Sequence, residues 1–158
     1  MLKIDLLKNH PETIPRLAEI WKEVLGSVWI PDFSIDQVEQ KFQQHLNESS
    51  MPITFVALHD NKRVGMCSLR ENDGIRPDLV PWLASLVVDQ HYQKQGIAKK
   101  LIDAAKAKAT ELGFKTLYLL AFDLTIPHYY ASLGWHEIGT DELLGHPVTV
   151  MEISLDIS

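Results

Sequence analysis

The segment WLASLVV at positions 82–88 is apolar on both of the faces a strand presents, so it belongs in the middle of a sheet that is covered on both sides. A helix-period segment follows. Ile97, Leu101, Ile102, Ala104, Ala105 and Ala109 fall on one stripe between about Gly96 and Leu112, and Gly113 supplies the stop. KTLYLLAF (115–122) is then a second buried strand. A central strand, a long helix and another buried strand commit the chain to an α/β arrangement.

The flanking segments fit around that unit. MLKIDLL (1–7) alternates as an opening strand, and apolar residues at 14, 17, 18, 20, 21, 24 and 25 trace one helix face that ends at Gly26. FSIDQVEQKFQQHLNE (33–48) reads as a second helix, with Ser34 and Gln37 in a capping-box pattern and Ile35, Val38, Phe42 and Leu46 in line. ITFVALH (53–59) and RVGMCSLR (63–70) form a hairpin with Asp60 and Asn61 at its turn. ENDGIRPDLVP (71–81) is a loop by composition. PHYYASLGW (127–135) is a short helix opened by Pro127 and stopped by Gly134, and VTVMEISL (148–155) alternates as a closing strand. A mixed sheet flanked by helices, in one domain over 1–158, is the expected architecture.

Composition narrows the partners. The chain has 158 residues, 46% of them hydrophobic and 23% charged, with a formal net charge of −6. That balance belongs to a folded domain and argues against a nucleic-acid partner, which calls for a basic surface. Cys67 is the one cysteine, which excludes an internal disulfide and fits a reducing compartment. No apolar run approaches the ~18 residues of a membrane span, and MLKIDLLKNH lacks a secretory leader pattern, so a cytoplasmic location is expected. The seven histidines are scattered without H-E-x-x-H spacing, so no metal site is expected.

The chemistry concentrates at QKQGIAKK (93–100), where the central strand hands over to the long helix. A helix start exposes N–H groups without partners at the positive end of the dipole, which suits an anion, phosphate above all. Gly96 and Ala98 keep bulk away from those amides. Gln93 and Gln95 add amide donors, and Lys94, Lys99 and Lys100 add charge that is unfavourable at this end of a helix until a polyanion arrives. The pattern points to a pyrophosphate. Neither G-x-x-x-x-G-K-[ST] nor a G-x-G-x-x-G turn after a strand is present.

LASLVVDQHYQKQGIAKKLIDAAKAKATELGFKTLYL resembles the acyl-coenzyme A motif of the GNAT superfamily of N-acetyltransferases, whose [RQ]-x-x-G-x-[GA] pattern is met by Gln93, Gly96 and Ala98. YYASLGW (129–135) is similar to the family's F-Y-x-x-x-G-F signature, with Tyr130 at the tyrosine position and Trp135 in place of phenylalanine. The resemblance implies a mostly antiparallel mixed sheet with a splay between two central parallel strands. It also implies acetyl-CoA as cosubstrate, and direct transfer of its acetyl group to a small-molecule or peptide amine. The cofactor contacts would come from Leu86, Val87 and Val88 on the central strand and from Gln93, Lys94, Gln95, Gly96, Ile97, Ala98 and Lys99 at the helix start. Val88 N–H would stabilise the thioester oxygen, and Tyr130 would be the general acid. Many members pair as dimers, so a homodimer is an expectation too.

Two family features are missing. DLTIPHYY lacks the asparagine that often meets the cofactor, and Ala84 and Ser85 stand where many relatives carry a glutamate base. His59, Glu71, Asp73, Asp89, His91, Asp123 and His128 are substitutes, His128 being the most suggestive and none preferred outright. The alternative is a catalytically silent acyl-CoA-binding module that senses the cofactor or regulates a partner. Cys67, mid-strand in VGMCSL, reads as a core residue. In the family fold the acceptor lies beside VWIPDF (28–33) and ENDGIRPDLVPW (71–82). There Trp29, Phe33 and Trp82 would line a pocket, and Asp32, Glu71, Asp73 and Asp78 would attract a cation.

Overall fold

The computed structural model describes residues 1–26, 32–121 and 126–155. The strands are β1 (Leu2–Leu6), β2 (Ile53–His59), β3 (Lys62–Arg70), β4 (Trp82–Val88), β5 (Thr116–Ala121), β6 (His136–Leu143) and β7 (His146–Ser154). The helices are α1 (Ile14–Trp21), α2 (Ile35–Gln43), α3 (Ile97–Glu111) and α4 (Ile126–Ser132). The described strands form a seven-stranded sheet in the order β1-β2-β3-β4-β5-β7-β6. Every neighbouring pair is antiparallel except β4 and β5.

Alternation along the strands divides the core into two layers. Phe55, Ala57, Cys67, Leu69 and Leu83 face α3, whose Ile97, Leu101, Ile102, Ala105 and Ala109 are the buried members of the stripe read from the sequence, with Ala104 partly buried at its side. Val56, Leu58, Met66 and Val87 face the opposite way, onto α1 and α2. Leu83 and Val88 share the α3 layer although they are an odd number of residues apart. Strict alternation forbids that, so β4 must carry one extra residue. It does: Ser85 has φ +53°, and the pairing register with β3 shifts between Met66 and Ser68.

Local signals set most element ends. Asp60 and Asn61 both have positive φ (51° and 70°), as a tight hairpin turn needs. Ser34 and Gln37 make the reciprocal capping box of α2. That helix ends at Gln43, short of the expected 48, and α1 passes at Lys22 into a π-helical turn that runs to Gly26. The expected strand order omits β6. HEIGTDEL lies at the sheet edge, where among the described strands it pairs with β7 alone, and it is exposed along most of its length, so it shows no apolar alternation for a pattern to reveal. Among the described residues, no helix is long and apolar enough to cross a membrane.

Candidate active site

The site begins where β4 and β5 part. Their one register pair is Trp82 with Tyr118, whereas β5 stays paired to β7 from Thr116 to Ala121. The last residues of β4 therefore run beside a gap. Asp89 N–H donates to Val64 O at 2.7 Å, so Val64 and Asp89 are a bonded pair of the β3–β4 ladder. With Gly65 opposite Val88, the alternation of an antiparallel ladder turns the Val88 N–H and C=O away from β3, to the β5 side. The Val88 carbonyl takes a hydrogen bond from the Gln93 amide at 3.1 Å. The side chain of Gln93 thus holds the turn to the strand, where the sequence suggested a free amide donor.

Beyond Gln93 the turn is open. Lys94 and Gly96 take left-handed conformations (φ +63° and +82°), and a Cβ built on Gly96 would meet no atom within 4 Å. Gln93, Lys94, Gln95, Gly96, Lys99 and Lys100 are exposed, whereas Ile97 sends its side chain into the core. No side chain caps α3, and its first internal bond runs from Lys100 N–H to Gly96 O at 3.2 Å. The N–H groups of Ile97, Ala98 and Lys99 are thereby left without helical partners. Successive amides around left-handed residues at a helix start make a concave anion site, so the residues present fit a diphosphate. The left-handed backbone is the stronger reason for glycine at 96. Lys99 pairs with Asp103 at 3.2 Å, which orients its charge along the exposed helix face.

The gap opens into a cleft of about 320 Å³ lined by α1, α2, the loop before β4, the splayed strands, α4 and the β6–β7 turn. Tyr130 reaches this cleft from α4, and Ser85 and Leu86 reach it from the β4 bulge. Burial, reinforced by Tyr129 and Cys67, pushes the Tyr130 phenol above its ordinary range, so it holds its proton at neutral pH. Most of the wall is aliphatic. Three charged side chains interrupt it: Lys41, Arg70 and Asp73. Arg70 Nη1 lies 3.7 Å from Asp73 Oδ1, and the Asp73 side chain is 18% exposed. Burial raises the Asp73 carboxyl to about 6 against the opposing pull of Arg70 and Lys41.

The other expected site residues separate clearly. Trp82 is fully buried and donates its indole N–H to Leu79 O at 2.7 Å, and Phe33 packs into the α1–α2 core, so neither is a cleft wall. Trp21 takes that place, with its indole N–H 3.3 Å from Ser85 Oγ. Of the four acidic residues expected to attract a cation, only Asp73 is a cleft residue. Asp32 and Glu71 are exposed, and Asp78 pairs with Arg76 at 3.1 Å on the surface. Among the base candidates, His59 packs on Tyr92, Asp89 is bound by Arg16, and His91 and His128 are exposed outside the cleft. Trp29 and Asp123 lie outside the described residues. Cys67 is buried, its thiol directed to Leu101 O at 3.3 Å and pushed up by desolvation, as a core residue should be. Among the described residues, no group of three or more His, Cys, Asp or Glu could hold a metal. Lys41 and Arg70 went unnoticed in the sequence, and Ser85 stood out there only as a position without the glutamate. Ser85 left a signal as the one hydroxyl inside an apolar strand, and the two cations left none.

The Acetyltransferase (GNAT) family model matches residues 14–135. No curated protein matches the sequence. Solved structures match along the whole chain. An aminoglycoside 6'-N-acetyltransferase complexed with coenzyme A has 18% identity and a TM-score of 0.75, covering 99% of this chain and 98% of its own. The ribosomal-protein-S18-alanine N-acetyltransferase from Escherichia coli has 18% identity and a TM-score of 0.72, covering 100% and 96%. A GNAT-family acetyltransferase from Staphylococcus aureus Mu50 has 19% identity and a TM-score of 0.73, covering 99% and 100%. At such identities the likeness carries the fold.

Proposed function

The chain belongs to the GNAT acetyltransferase family, and we propose that it transfers an acetyl group from acetyl-CoA to the amine of an acceptor held in the cleft, with Tyr130 as general acid and Asp73 as the proton acceptor. The observation that carries the reading is the uncapped, unobstructed helix start at Gly96, placed beside the β4–β5 splay. Acetyl-CoA supplies the activated acyl group. The amides of Ile97, Ala98 and Lys99 hold its diphosphate, with Lys94 and Gln95 alongside, and Leu86 to Val88 carry its acyl end. Val88 N–H faces the gap, where a pre-aimed backbone donor stabilises negative charge developing on a carbonyl oxygen.

Two protons must move. Tyr130 keeps one on its hydroxyl for the departing sulfur, and burial ensures that it is present. An acceptor amine with a pKa of about 10 arrives protonated at pH 7 and has to lose one. Asp73 is the carboxylate among the cleft residues, and a carboxyl raised to about 6 is still mostly ionised at neutral pH yet more basic than an exposed aspartate.

Incubation with acetyl-CoA and a broad panel of amines tests the reading. Release of free CoA is the expected result, and Tyr130→Phe should lower kcat by about 100-fold while leaving coenzyme A affinity nearly intact. Coenzyme A binding without turnover on any amine would leave a silent binding module instead.

A further inference from the structure

We infer that the acceptor carries a carboxylate beside its amine, and that Lys41 and Arg70 bind this carboxylate. The inference rests on the proposed acetyl-transfer reading of the cleft and adds the substrate class. An amine alone would be recognised by carboxylates, yet the charged part of this wall holds two cations, from α2 and the end of β3, and a single carboxylate. Asp73 is already engaged by Arg70. Lys41 has no carboxylate within ion-pair distance among the described residues; its ammonium lies over the Trp21 ring, 5.9 Å from the centroid. Burial and the neighbouring Arg70 both disfavour its charge, and Asp73 only partly restores it. His45, packed behind the cluster and bonded to Thr54 at 2.8 Å, is kept neutral by burial and by the same Arg70 and Lys41.

An uncompensated cation in an aliphatic cleft is costly until an anion reaches it. The surplus is one positive charge. A carboxylate carries one negative charge, whereas a phosphate monoester carries nearly two. The guanidinium of Arg70 presents a planar fork that matches a carboxylate. An acceptor such as an amino acid would set its carboxylate toward Lys41 and Arg70 and its amine toward Asp73, Ser85 and Tyr130. Polycationic amines would meet repulsion from the same two side chains.

The test uses matched pairs, amino acids against their carboxamides and decarboxylated amines, in two assays: CoA release from acetyl-CoA, and calorimetric titration of the CoA-loaded protein. The expected result is a preference of tenfold or more for the carboxylate member, with most of that preference lost in Lys41→Met and in Arg70→Gln. The methionine keeps the stem on the Trp21 ring, so the fold is retained in at least that variant. Selective carboxylate binding with no turnover would uphold the inference and sink the acetyl-transfer reading. Turnover of neutral or polycationic amines with no advantage to carboxylates would overturn the inference and leave the reading standing. Equal binding of each carboxylate and its amide would also overturn it.

Discussion

Arg16 Nη2 donates to Asp89 Oδ2 at 2.8 Å, joining the first helix to the residue that follows the central strand. Asp89 is 8% exposed, and its other oxygen accepts the His91 N–H at 2.9 Å. Burial works against its charge, but the bonds from His91 and Arg16 outweigh it and hold the carboxyl below its ordinary range. This ion pair therefore fixes the junction from which the 93–96 turn departs. Removing the guanidinium strands a buried carboxylate. Arg16→Met should lower unfolding stability by about 1–2 kcal/mol, the usual range for a charged hydrogen bond at a partly exposed donor. It should also weaken coenzyme A binding several-fold. Denaturant unfolding and calorimetric titration read the two effects, and an unchanged dissociation constant would separate the ion pair from the cofactor turn.

Gly96 combines a φ of +82° with open space around its missing Cβ. Gly96→Ala meets no steric clash, so its cost to the fold is the left-handed backbone alone, about 1–2 kcal/mol. The added methyl stands at the mouth of the anion site, which should cost coenzyme A more than tenfold in affinity. The two readouts part company in Gly113→Ala. That glycine has a similar φ of +92° at the other end of the same helix, so strain should appear there without any loss of affinity.

Much of this arrangement was legible because it is written in periodicity. The two buried strands, the α3 stripe and the capping box at Ser34 each follow from residues close in sequence, as does the glycine at the helix start. What stayed hidden depends on pairing. The Ser85 bulge is visible only once β3 is laid against β4, and β6 is exposed along most of its length, so it carries no apolar alternation to read. The charged wall of the cleft was misjudged for the same reason. Loop composition promised an acidic groove, but Asp32, Glu71 and Asp78 face solvent, while Lys41 and Arg70 are brought in from α2 and β3 by tertiary packing.

Asp73 gives the proposed reaction a pH signature. A proton acceptor works only when ionised, so kcat/KM should fall as pH drops through about 6, the value to which burial raises this carboxyl against Arg70 and Lys41. Asp73→Asn should abolish that acidic limb and lower the rate by about 100-fold at pH 7.5. His45 titrates lower, near 4, and so does not mimic the effect. Profiles for both proteins with one acceptor make the comparison. An acidic limb that survives in the asparagine variant would assign the proton to another group.

His45 supplies the converse case, a pH effect on stability. The residue is 3% exposed, its ring bonded through Nδ1 to Thr54 Oγ1 at 2.8 Å, and Thr54 in turn bonds Ser68 at 2.7 Å. Burial, with Arg70 and Lys41 nearby, lowers its pKa to about 4, whereas the unfolded chain has the ordinary value near 6.5. Below pH 6.5 the unfolded state takes a proton that the folded state refuses. Stability is therefore complete above that pH and declines as the pH falls toward 4, by about 3 kcal/mol from this residue alone. Carboxylates titrate in the same range, so the isolating measurement is a difference: urea unfolding of the native protein and of His45→Gln at pH 7, 5.5 and 4.5. The native protein should lose its advantage over the variant as pH falls. A difference that stays constant across the three values would mean that the buried ring accepts its proton as readily as an exposed one, and the cations at the cleft wall would then not be felt behind it.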